Sequence, residues 1–130
     1  MARPEKEAIV SEVQEKLQRS KTVILADYRG LNVEEVTALR KKMREAGVEY
    51  KVIKNTMTSR AARAANIEGL DQYLTGPTAL AFDYNDYVSA AKILTEFAKD
   101  HKNLELKAGI LDGKVIDLNS VKALADLPSR

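Results

Sequence analysis

Residues 22–26, TVILA, form an unbroken β-branched and aliphatic run held between Lys21 and Asp27. A run of that length and composition reads as a buried strand. It leads almost at once into a helix start. Asn32 is a favourable N-cap and Glu35 stands three residues later, the spacing of a capping box, with Leu31 and Val36 at the two positions of a hydrophobic staple. The chain must therefore turn from strand to helix through Tyr28, Arg29 and Gly30, and the helix begins at about Val33. Gly30 suits such a turn because it lacks a Cβ. Arg29, on a rigid turn beside an aromatic ring, is well placed for an anion. The alternative is a surface arginine paired with Asp27 or Glu34.

The same grammar recurs along the chain. Pro4 opens an amphipathic helix with Ile9, Val13 and Leu17 on one face. The helix after Asn32 turns Val36, Leu39 and Met43 inward and Arg40, Lys41 and Arg44 outward, and Gly47 stops it. VEYKVI then reads as a second strand, leaving through Lys54 into a helix capped by Asn55 or Thr56 that carries Arg60 and Arg63. In the second half, the GPT turn at 76–78 opens the strand ALAF. A helix over 86–99 gathers Tyr87, Ala90, Ala91, Leu94 and Phe97 on one side, and LELKAGIL forms a fourth strand. The Asp112-Gly113 turn returns a short antiparallel strand at Lys114–Ile116, and a last helix runs from about Leu118 to Pro128.

This order implies one α/β domain over residues 1–130, a layered structure with a mixed sheet of about four to five strands flanked by helices. Crossovers favour parallel pairs and the hairpin forces an antiparallel one. If the first two strands are parallel neighbours, Arg29 and Lys54 emerge along one edge of the sheet. Helix N-termini expose unpaired N–H groups there, so the edge is an anion-binding rim. Tyr28 adds a face on which an unpaired base could stack, or simply packs at the strand end.

Composition narrows the chemistry. There is no cysteine and a single histidine, His101, read as an exposed loop residue. No phosphate-binding loop, dinucleotide glycine pattern or metal-spaced His/Cys cluster is present, so neither an enzyme nor a metal or cofactor site is expected. No stretch approaches the about 20 apolar residues of a membrane span, and the start lacks a signal core. A soluble cytoplasmic protein is the expectation. Residues 1–66 carry 14 Lys and Arg against 9 Asp and Glu, whereas residues 67–130 carry 7 against 10. Seven of the eight arginines lie in the first half. Guanidinium matches phosphate with a fork of donors, so this half has the footprint of a nucleic-acid surface, with a chance imbalance as the alternative.

YRGL at 28–31, KNTM at 54–57 with Arg60, and GPTALAF at 76–82 together resemble the N-terminal domain of the bacterial ribosomal protein L-ten family, the base of the large-subunit stalk. The resemblance covers essentially the whole chain. It implies a domain that docks on large-subunit rRNA at the GTPase-associated region beside ribosomal protein L-eleven, and in some members represses its own mRNA. Carried to this sequence, the RNA contacts are Arg3, Lys6, Tyr28, Arg29, Gly30, Lys54, Asn55, Thr56 and Arg60. The GPT turn is assigned to the fold. Arg40, Lys41 and Arg44 form either a second contact or a solvated face. Family members continue into a C-terminal helix that recruits acidic stalk-protein dimers. This chain stops at Arg130, which implies a shortened form that binds RNA without recruiting them. The alternative function is a ribosome-assembly or mRNA-turnover factor of the same domain family.

Overall fold

The computed structural model describes residues 4–28, 30–74, 78–85, 87–101, 104–111 and 113–126, with side chains from Glu7 onward. The elements are α1 (Pro4–Arg19), β1 (Thr22–Asp27), α2 (Val33–Glu45), β2 (Val48–Val52), α3 (Asn55–Ala64), a 3-10 turn (Asp71–Tyr73), β3 (Ala79–Asp83), α4 (Ser89–Asp100), β4 (Glu105–Leu111), β5 (Lys114–Ile116) and α5 (Leu118–Ala125). They form three layers. On one face, Val13 and Leu17 of α1 and Ala61 and Ala62 of α3 pack on Val23, Leu25, Leu80 and Phe82. On the other, Leu39, Met43, Leu94, Phe97 and Val121 cover Ile24, Ala26 and Ala81. Every residue of β1 is buried because successive side chains enter opposite cores, which accounts for the uninterrupted apolar run in the sequence.

The sheet order is β2-β3-β1-β4-β5, and every pairing is antiparallel. The expected mixed sheet is corrected here. β1 and β2 do run in the same direction, but β3 lies between them and pairs antiparallel with both. β1 in turn separates β3 from β4. The α2 and α4 crossovers thus each join strands of one direction and leave a slot between them, filled by β3 and by β1, whereas α3 joins the adjacent antiparallel β2 and β3.

The capping box at the start of α2 is complete: the Glu35 N–H donates to Asn32 Oδ1 at 2.8 Å, and the Asn32 N–H donates to Glu35 Oε1 at 3.1 Å. Gly47 ends α2 with φ +75°, the left-handed conformation expected of it. Three local expectations fail. Helix α3 has Lys54 at its N-cap with no side-chain cap, so neither Asn55 nor Thr56 closes its first turn. His101 is partly buried, stacked on Phe97 with ring centroids 4.0 Å apart and its Nε2 3.5 Å from Glu35 Oε2. The helix expected over 86–99 begins only at Ser89, and its first turn is held from outside: the Ala90 N–H donates to Asp83 Oδ2 at 3.2 Å. Among the described residues no helix is long and apolar enough to cross a membrane.

Candidate nucleic-acid interface

Three chain segments meet at one end of the sheet. β1 and β2 deliver Tyr28 and Lys54 there, and Thr78 leads into β3 there, because β3 runs opposite to both. The physical consequence is a cleft of about 470 Å³ lined by Tyr28, Ile53, Lys54, Asn55, Thr56 and Thr78. The two strand ends therefore meet on one side without the expected adjacency, because a common direction suffices to bring them there.

The turn after β1 is tight, with the Leu31 N–H donating to the Tyr28 carbonyl at 2.9 Å. Tyr28 is partly buried and Gly30 is exposed. Arg3 and Arg29 lie outside the described residues, as does the side chain of Lys6. The helix that carries Lys6 is nevertheless oriented by its pairings. Lys16 bonds Glu49 at the start of β2, and Glu12, one turn earlier, lies 3.1 Å from Lys51 Nζ further along it. Helix α1 thus runs antiparallel to β2, with its N-terminal end directed toward Lys54.

Lys54 and Thr56 are exposed, and Asn55 is partly buried. Lys54, the N-cap residue of α3, makes no side-chain cap, and the helix dipole adds partial positive charge beside its ammonium. Arg60 is exposed without an ion pair among the described residues, but it lies further along α3 and does not line the cleft. Arg63 is committed elsewhere, its Nη2 3.0 Å from Asp71 Oδ2.

Sequence reasoning missed two residues. Thr78, assigned with its turn to the fold, lines the cleft while being only 3% exposed. Lys107 donates to the Thr78 hydroxyl at 2.9 Å. It comes from the acidic half, and its reach depends on a bulge in β4: Leu25 pairs with Ala108 and Ala26 with Leu106, leaving Lys107 as the extra residue. Nothing in the alternation of LELKAGIL marks that irregularity.

Away from the cleft, α1 is locked to β2 by a charged cluster. The Tyr84 hydroxyl donates to Glu49 Oε1 at 2.8 Å, and Lys16 bonds both Glu49 and Glu12. Burial opposes ionisation of Glu49, but hydrogen bonds from Lys16 and Tyr84 outweigh it and lower its pKa. Burial raises the Tyr84 pKa, and the Glu49 carboxylate raises it further.

Across residues 1–99 the sequence matches the family model of ribosomal protein L10. It is 58% identical over 125 residues to the large ribosomal subunit protein uL10 of Bacillus licheniformis, covering 96% of this chain and 75% of that protein. Identity to uL10 of Bacillus cereus and of Bacillus anthracis is 54% over the same shares.

The chain belongs to the ribosomal protein L10 family.

As an L10-family ribosomal protein it is not an enzyme, and it works on the ribosome, in the cytoplasm. The residues matched to the L10 family model include the cleft residues from Tyr28 to Thr78, whereas Lys107 lies beyond them.

Proposed function

We propose that this chain is a structural protein of the large ribosomal subunit that anchors the base of the stalk to the GTPase-associated region of the rRNA. The observation that carries the reading is the convergence of Tyr28, the Lys54 ammonium and the uncapped N-terminus of α3 in one cleft on the arginine-rich half of the chain. The mechanism is rigid docking on folded RNA. An RNA helix hides its base edges in a deep, narrow major groove, so phosphate and 2′-hydroxyl contacts read its shape. Lys54 and the α3 N–H groups hold phosphate, Arg29 adds a guanidinium from the turn, and Arg3, Lys6, Gly30, Asn55, Thr56 and Arg60 complete the contact. Tyr28 offers its ring to a base splayed from a loop. Ribosomal protein L-eleven is the proposed neighbour on this rRNA. Acidic stalk dimers bind the C-terminal helix that family members carry after this domain. In this reading the cleft also serves when the protein binds its own mRNA.

The test is a salt-series titration against an rRNA fragment of the GTPase-associated region beside an unrelated hairpin. Preference for the cognate fragment is expected, and Lys54→Ala or Arg29→Ala each lowers the salt slope by about 1. Equal, weak binding to both RNAs with unchanged slopes would overturn the reading.

A further inference from the structure

Among the described residues β2 is an edge strand, paired only with β3, so half of its backbone N–H and C=O groups point away from the sheet. Along that edge runs a second groove of about 680 Å³, walled by Arg40 and Arg44 of α2 and floored by Val48, Tyr50 and Val52. Val52 also lines the Tyr28–Lys54 cleft, so the two depressions adjoin at this residue. We infer that the RNA surface does not end at Lys54 but continues along the open edge of β2 to Arg40 and Arg44, which hold further phosphates of the same RNA. This inference rests on the reading of the cleft given above.

The charge of the groove supports an anionic backbone as its occupant. Of the charged strand residues there, Glu49 is neutralised by Lys16, and Lys51 pairs with Glu12. Arg40 and Arg44 have no carboxylate partner among the described residues, and at a spacing of four they share one face of α2. The Arg40 guanidinium lies 5.7 Å from the centroid of the Tyr50 ring, an arrangement that orients its plane and leaves its N–H fork free for phosphate. Val52, at the junction of the two grooves, is 42% exposed.

Three variants decide it in the same salt-series titration with the same rRNA fragment, each first checked for an unchanged thermal melt. Arg40→Ala with Arg44→Ala is expected to lower the slope by about 2, additively with the loss of about 1 from Lys54→Ala. Arg40→Lys with Arg44→Lys retains the slope, since the number of charges is unchanged. A double alanine variant with the parental slope, while Lys54→Ala still lowers it, overturns the inference and leaves the cleft reading standing. Parental slopes for both overturn the two together. A double alanine variant that loses a protein neighbour but keeps its RNA slope makes the edge a protein contact, and also overturns the inference.

Discussion

Lys107 reaches the hydroxyl of Thr78, 2.9 Å away, and so links a β-bulge in the acidic half of the chain to the floor of the Tyr28–Lys54 cleft. A hydrogen bond from a charged donor to a buried hydroxyl contributes on the order of 1.5–3 kcal/mol. Thr78→Val is therefore expected to destabilise the protein by about 2 kcal/mol in urea unfolding. Combined with Lys107→Met, the cost should fall well short of the sum of the single losses. Strict additivity would show that the two side chains do not support one another.

The entry to α2 depends on the reciprocal bonds between Asn32 and Glu35. Removing an N-cap of this kind costs about 1 kcal/mol. Asn32→Ala should lower stability by that amount, and Asn32→Asp should retain nearly all of it. If the alanine variant unfolds at the parental urea concentration, the box is energetically silent.

Gly47 closes α2 at φ +75°, and a Cβ built there would sit 2.9 Å from Asn85 Nδ2. The Asn85 amide can swing aside, whereas the backbone cannot leave the left-handed region without opening the turn into β2. Gly47→Ala should cost about 1 kcal/mol, read from the shift of the thermal midpoint. An unchanged midpoint would mean the turn relaxes freely.

Acid should weaken the junction of α1 with β2. The pKa of Glu12 is lowered from 4.5, chiefly by hydrogen bonds from Lys16 and Lys51, and that of Glu49 is lowered too, the Lys16 and Tyr84 bonds outweighing burial. A carboxylate whose folded pKa is depressed contributes stability that is complete above its unfolded value and lost as the pH falls through its folded one. Stability measured by urea unfolding should thus be flat above about pH 6 and decline below about pH 4.5. Lys16→Met should flatten that acid limb, and an undiminished limb in the variant would place its origin elsewhere.

Local features were legible wherever the cause was local. The Asn32–Glu35 box, the Gly47 stop and the short strand after Gly113 all follow from interactions between residues close in the chain, and the apolar run of β1 is written in its composition. The failures had distant causes. The start of α4 is held by Asp83 from the end of β3, so the helix begins at Ser89 rather than at 86. His101, stacked on Phe97 one turn before it, is also drawn toward Glu35, a residue far away in sequence. Lys107 is directed by a bulge that exists only because β4 pairs with β1.

The same division runs through the site. The arginine-rich first half and the strand-to-helix turns carrying Tyr28 and Lys54 are properties of the sequence alone, because charge and turn chemistry are written residue by residue. That these turns open on one cleft was decided by tertiary structure. β3 enters between β1 and β2, separating strands that a crossover alone would leave as neighbours, and it brings Thr78 between the two turns. Periodicity specifies which face of a strand is buried, but strand order is set by how the two apolar layers, drawn from every part of the chain, are buried together.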